Sequence, residues 1–320
     1  MKSATIIIPT WNGEPYLRAV LEAIAGQDYE GEVETLVIDS GSTDGTLAIL
    51  AEFPWVRVEH IDKADFGHGR TRNLGASLAS GHFVAFLTQD AIPADANWLQ
   101  RLVEPLDINS DIWGVFGKQI PRPQCPPLQK YEIQGVFGSA GIDLGITLQG
   151  AEWASADAID RAAFYSDVNA ATRRSILVTE LPYRDVPYGE DQFFGRDVLA
   201  RGKLKAYAPR AAVVHSNDIT LRDFAHRIFD EGLALRHAGS PVAVGRLPRR
   251  LARVARGSVA DSRRIMRDGA YTWRDRVRWL TLNPRYHWAK WRGYRWAEVV
   301  DMSDASAVER YSLEAKHAST

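Results

Sequence analysis

Two rhythms of apolar and polar positions alternate along residues 1–90. Residues 4–8 form an unbroken apolar run closed by Pro9, and residues 14–24 then place Leu17, Val20, Leu21 and Ile24 on one helical stripe. The first pattern predicts a buried strand and the second a helix packed against it. The unit repeats as a strand over 33–38, a turn over 39–44 and a helix over 46–53. A strand over 56–61, a glycine-rich turn, a helix over 70–79 and a buried strand over 83–88 complete the series. Strands alternating with helices predict an α/β fold with a Rossmann-like, mostly parallel sheet flanked by helices. In such sheets ligands collect outside the carboxyl ends of the strands, so residues 10–12, 39–44 and 89–90 are expected to share one rim.

KQIPRPQCPP at 118–127 holds four prolines in ten residues and reads as a rigid loop between two halves, 1–117 and 118–235. Residues 236–320 read as a helical, basic C-terminal region. A length of 320 residues fits one large core with an appendage, and 45% hydrophobic residues exclude wholesale disorder. The balance of 39 Lys and Arg against 40 Asp and Glu argues, as an average, against a polyanionic partner. That average conceals residues 246–296, where 15 Lys and Arg face 3 Asp and Glu and where Trp273, Trp279, Trp288, Trp291 and Trp296 fall. Cys125 is the single cysteine, which excludes an internal disulfide or a cysteine-based zinc site and suits a reducing compartment. No signal-like start and no apolar run of roughly 18 residues stands in the sequence, so a cytoplasmic location is expected.

Six polar clusters carry candidate chemistry. PTWNGE at 9–14 follows a strand and precedes a helix, where free N–H groups suit an anion and Trp11 suits a base; helix capping by Asn12 with Trp11 in the core fits equally well. DSGSTDG at 39–45 places Asp39 to accept from a pyrimidine N–H and Ser42 or Thr43 to cap a helix. FGHGRTRNLG at 66–75 sets His68 between glycines and puts Arg70 and Arg72 in an early helical turn, against the macrodipole unless an anion such as a diphosphate compensates. TQDA at 88–91 ends a buried strand in Asp90, a carboxylate that a hard cation such as Mg2+ or Mn2+ would satisfy. PYGEDQFF at 187–194 sets Glu190 and Asp191 at a helix start, facing different sides, so that one is able to act as a general base. VVHS at 213–216 ends a strand in His215, a residue type that is more often structural than a ligand.

Taken in order, PTWNGE, VIDSGSTDGT, HGRTRNLGA, FLTQDA, YGEDQ and VVHSN resemble the inverting nucleotide-sugar glycosyltransferases of family 2, which have the GT-A fold, over roughly residues 4–235. The wording is similar to bacterial rhamnosyltransferase-like members, as are GKQIPRP, YSDVNAATRRSIL and HSNDITLRDFAHRIFDEG. The resemblance implies a catalytic domain over 1–235, with a nucleotide-sugar-binding half followed by an acceptor-binding half. It implies that Pro9, Thr10, Trp11, Asn12, Glu14, Asp39, Ser42, His68, Arg70, Arg72, Asn73, Gln89 and Asp90 bind the donor and that Asp191 is the catalytic base. Asp90 and His215 are the implied metal ligands, and Trp153, Tyr188 and Glu190 are candidates for the acceptor. One departure stands out: the usual Asp-x-Asp metal motif is here Thr88-Gln89-Asp90, with a single carboxylate.

The implied reaction is a single displacement with inversion, in which Asp191 deprotonates an acceptor hydroxyl while Arg70, Arg72 and a divalent metal neutralise the leaving diphosphate. The donor expected from the resemblance is dTDP-L-rhamnose, with a UDP- or GDP-sugar as the alternative, and the acceptor a glycan or polyprenyl-diphosphate-linked glycan. A glycosidase using Asp90 and Asp191 as acid and base would leave Asp39, Arg70 and Arg72 without a purpose. For residues 246–296, arginine with tryptophan suits either a nucleic acid or an anionic membrane surface. The membrane is the reading taken, on the inner face of the cell membrane, and nucleic acid is not expected. The same helices are equally able to pair as a homodimer.

Overall fold

The computed structural model describes residues 1–143, 145–150, 164–186, 188–237, 241–313 and 315–316. The chain divides into two compact units, one of residues 1–120 with 134–215 and one of residues 121–133 with 216–320.

In the first unit the alternation read from sequence is present: β1 (Ala4–Thr10), α1 (Leu17–Ala25), β2 (Val33–Asp39), α2 (Thr46–Ala51), β3 (Val56–His60), α3 (His68–Leu78) and β4 (Phe83–Leu87). Then follow β5 (Ile92–Pro93), α4 (Trp98–Ile108), β6 (Ile112–Ile120), α5 (Pro127–Ala140), whose residues 127–133 count with the second unit, β7 (Thr147–Gln149), β8 (Asn169–Arg173), α6 (Glu190–Ala200) and β9 (Leu204–Val214). Among the described residues the strands form one sheet in the order β3-β2-β1-β4-β8-β6-β9-β5, with β7 pairing β9. Pairing is parallel from β3 to β4 and between β6 and β9. Strand β8 runs antiparallel between β4 and β6.

Helices cover both faces of the parallel part, which is why β1 reads as an uninterrupted apolar run: Ile6, Ile7 and Ile8 are all fully buried. Each such side chain contributes about 1.5–3 kcal/mol relative to its exposed state. The one large polar residue that enters this core from β8, Asn169, is fully satisfied. Its Oδ1 accepts from Trp98 Nε1 at 2.8 Å and its Nδ2 donates to Ala211 O at 2.8 Å. This bond set fixes where β8 begins. Because β8 is reversed, the loop preceding it emerges on the same rim as the loops that follow β1, β2 and β4.

The second unit is helical: α7 (Leu221–His237), α8 (Leu247–Arg267), α9 (Trp273–Val299) and α10 (Ala305–Tyr311). Helix α7, which the sequence reading groups with residues 1–235, belongs to this unit. Phe224, Ile228, Ile265, Trp279 and Tyr286 form its core. Thr272 and Asp275 close a capping box at the start of α9. No helix of the described residues is long and apolar enough to cross a membrane.

Candidate active site

The rim of the first unit is built from interlocked loops. Gln89, just after β4, accepts from Trp11 N–H at 2.8 Å and donates to Trp11 O at 2.9 Å. Asn12 has φ 49, the left-handed conformation that asparagine tolerates better than most residues. In that pose its N–H donates to Ser42 Oγ at 2.9 Å and its Oδ1 accepts from Thr43 N–H at 2.8 Å. Glu14 reaches the same turn, accepting from Gly45 N–H at 3.0 Å. Asp39 is buried and accepts from Ser42 Oγ at 2.5 Å and from the N–H groups of Gly41 and Ser42 at 3.1 and 3.2 Å. Its carboxylate therefore organises its own turn. Thr10 is buried and donates to Ile8 O, and Pro9 lies within β1. Lys63 Nζ stands 4.6 Å over the Trp11 ring.

Asp90 and His215, 125 positions apart in the chain, converge at one end of this rim, with Asp90 Oδ2 3.3 Å from His215 Nε2. His215 is buried, and its Nδ1 faces Gln119 Oε1 at 3.0 Å. Gln119 Nε2 in turn donates to Ser166 Oγ at 3.0 Å. With Nδ1 facing a carbonyl oxygen, the ring turns Nε2 toward Asp90, and as a metal ligand it would keep its proton on Nδ1 and offer the Nε2 lone pair. One carboxylate and one such imidazole fit two protein ligands of Mn2+ or Mg2+, the other positions falling to water and substrate phosphates. Among the described residues no group of three or more His, Cys, Asp or Glu side chains is arranged to hold a metal.

A second cluster is buried beside the rim. Arg72 on α3 donates from Nη1 to Glu190 Oε1 at 2.8 Å and sets Nε 3.3 Å from Asp167 Oδ2. Asp167 Oδ1 accepts from Tyr183 OH at 2.7 Å, and its N–H points to Asp191 Oδ2 at 3.4 Å. Asp191 Oδ1 accepts from Gln192 N–H at 2.7 Å. Gly189, at φ 84, makes the sharp entry into α6 that presents Glu190 and Asp191 as neighbours. Two carboxylates thus share one guanidinium, with Asp191 beside them as a third acid. Burial first, then the charges of Glu190 and Asp167, push Asp191 up to about 8, with Arg72 opposing. Burial pushes Asp167 up to about 7, again against Arg72.

The glycosyl transferase family 2 model matches residues 5–134. The O-antigen chain rhamnosyltransferase RfbN of Salmonella typhimurium is 33% identical over 252 residues, 74% of this chain and 73% of its own length. This chain belongs to glycosyltransferase family 2. Two solved structures share the GT-A fold: TarS 1–349 of S. aureus in complex with UDP, and the mannosyltransferase PcManGT of Pyrobaculum calidifontis with GDP-Man and Mn2+. The first has TM-score 0.54 at 18% identity over 93% of this chain and 90% of its own. The second has TM-score 0.50 at 17% identity over 99% and 83%.

Set against the residues that the family resemblance singled out, the glycosyltransferase site differs in one main respect. Arg72, expected to face a diphosphate, is buried and engaged by Glu190 and Asp167, so the anion compensating this arginine is protein carboxylate. Glu190, expected to meet acceptor, is buried in that ion pair. Asn73 clamps the segment before α6, pairing with both Tyr183 N–H and Tyr183 O. Arg70 is exposed and 3.6 Å from Asp185. His68 and Tyr188 meet edge to face at 6.3 Å between ring centroids. Trp153 lies outside the described residues. Asp167 and Gln119 were missed. Asp167 stands in the quoted segment YSDVNAATRRSIL, where an acidic residue at the mouth of an apolar strand was the available signal.

Proposed function

We propose that this family 2 enzyme is an inverting, metal-dependent glycosyltransferase that moves L-rhamnose from dTDP-L-rhamnose to a hydroxyl of a glycan or polyprenyl-diphosphate-linked glycan during cell-surface polysaccharide synthesis. The convergence of Asp90 with His215 on the rim, with Asp191 held in a buried carboxylate cluster, carries the reading. Asp90 and His215 hold a divalent cation, which supplies neutralising charge to the diphosphate leaving group. Thr10, Trp11, Asn12, Asp39 and Ser42 seat the nucleotide, and Arg70 brings an exposed guanidinium to the phosphates. Asp191 takes the proton from the acceptor hydroxyl as that oxygen attacks the anomeric carbon. The O-antigen rhamnosyltransferase at 33% identity supports the sugar. UDP in TarS and GDP-Man in PcManGT keep other nucleotides as the alternative.

The test is a thermal-shift screen of nucleoside diphosphates and nucleotide sugars, with and without Mn2+ or Mg2+. A ligand that binds only the folded state raises stability by RT ln(1 + [L]/Kd), so only what the site binds shifts the melting temperature. The expected result is metal-dependent stabilisation by dTDP and dTDP-rhamnose, followed by transfer of labelled rhamnose to membrane-derived acceptor. Stabilisation by UDP or GDP sugars alone overturns the donor, and no stabilisation by any of them overturns the reaction.

For the second unit, an anionic membrane surface is the proposed partner. Leu251, Val259, Met266, Trp273, Val277 and Trp288 of α8 and α9 are exposed. Arg250 stacks on Trp288 at 4.9 Å. The three acidic residues of 246–296 are engaged within the unit: Asp261 with His287, Asp268 with Lys130 and Asp275 in the capping box. With its carboxylates so engaged, this region suits lipid phosphates better than a second copy bearing the same arginines. Flotation with phosphatidylglycerol vesicles is expected to carry the protein up and neutral vesicles to leave it behind. No binding to either, or a dimer that shields the tryptophans, overturns the membrane.

A further inference from the structure

The cluster around Arg72 is larger than a base needs. Beside Asp191, it contains a second carboxylate, Asp167, that is 1% exposed and has no role in the reaction as proposed. Oδ1 of Asp167 accepts from Tyr183 OH, and its other contacts lead to the base cluster. Its backbone N–H faces Asp191 Oδ2 at 3.4 Å, and its Oδ2 lies 3.3 Å from the same guanidinium that Glu190 binds. The segment that carries it is held on both sides: Tyr165 OH shares its one proton between Val115 O and Ala171 O, each at 3.1 Å, and Asn169 is locked in the core. Gln192, the neighbour of the base, donates from Nε2 to Tyr165 O at 2.5 Å. A buried acid so tightly framed is not a spectator of packing, since an asparagine of the same shape would satisfy Tyr183 at a smaller cost of burial.

We propose that Asp167 is a positioning residue for Asp191, acting through its backbone N–H and through the guanidinium it shares with Glu190, so that the net charge of the cluster decides when the base is free to take a proton. The groups facing Asp191 are Glu190 on α6, Asp167 ahead of β8, Arg72 on α3 and Tyr165. With all three carboxylates ionised, one arginine leaves the cluster with an excess of negative charge in a low-dielectric site. The cluster therefore retains a proton at neutral pH, shared between Asp167 and Asp191, whose titrations belong to the pair rather than to either residue.

This rests on Asp191 being the base, and the two statements fail separately. The direct measurement is the carboxyl 13C titration of Asp191 in the ligand-free protein, with the resonance assigned by its loss in Asp191→Asn. In Asp167→Asn the midpoint is expected to fall by about one pH unit, because a like charge has been removed. In Arg72→Gln it is expected to rise by a similar amount. A purely structural role would not give opposite signs. An unmoved midpoint in whichever of these variants folds overturns the role of Asp167 and leaves the base assignment standing. Full transfer by Asp191→Asn overturns the base assignment and, with it, the proposal.

Discussion

The two polar regions of the first unit obey opposite rules. Around Asp39 and Ser42, carboxylate and hydroxyl oxygens meet donors from the same or the adjoining turn, and the loops after β1, β2 and β4 lock one another in place. Around Arg72, three acids crowd one cation, and burial lifts two of them far above the ordinary carboxylate range. The first region is satisfied and preformed, which suits the nucleotide seat proposed above. The second stores electrostatic stress of the kind found where a proton must move. Satisfied and stressed polar groups thus lie side by side in the first unit.

Mutations should expose the contrast. The largest effect is expected for Asp191→Asn, with kcat reduced by about 10²–10⁴-fold while nucleotide binding persists, read by transfer assay and calorimetry. Asp90→Asn comes next. Removing the carboxylate of the Asp90–His215 pair is expected to cost at least about tenfold in Mn2+ affinity, measured by titration of the paramagnetic ion, with the Asp191 midpoint unmoved. Third is the dependence of stability on pH. Asp167 and Asp191 bind protons in the folded state up to about 7 and about 8, whereas the unfolded chain releases them near 3.8. The folded state therefore holds more protons through that window, and stability is expected to fall as pH rises from about 4 to about 8 and to level off above. Asp191→Asn should flatten this fall and raise Tm at pH 8.5 by about 2–4 °C. A wild-type curve that is flat across the window would remove the stress from the comparison. The smallest effect is expected in the satisfied region: Ser42→Ala strands the Asn12 N–H and costs about 1 kcal/mol in chemical denaturation, with no change in the Asp191 titration. Opposite signs of stability change at Ser42 and Asp191 are the sharpest form of the contrast.

What could be read from the sequence follows the same division. Strands β1 to β4 and their helices were legible because an apolar run and a helical stripe are local signals, and the rim residues follow from strand ends. Asp90 and His215 were legible only as separate strand endings, their meeting being implied by family resemblance. Arg72 was misplaced because its partners are remote. Glu190 is 118 positions away, and nothing near Arg72 shows that its charge is answered from within the protein. Gln119 was invisible for the same reason, its bonds to Ser166 and His215 spanning 47 and 96 positions. Long-range polar pairing leaves no periodicity to detect.

The reversed strand β8 supplies one more consequence. Leu87 of β4 sits opposite Asn169 of β8, and Phe116 of β6 opposite Ala170. The strand leading to the candidate metal ligand Asp90 and the strand entered beside Asp191 are therefore adjacent rungs of one sheet, roughly 4.8 Å apart. The spacing of these two strand ends is set by backbone hydrogen bonds rather than by the reach of flexible loops. The sheet acts as a ruler with a two-residue tick, so a single-residue insertion in β8 would turn every following side chain to the other face. Substitutions in the loops around this rim leave the spacing between β4 and β8 intact.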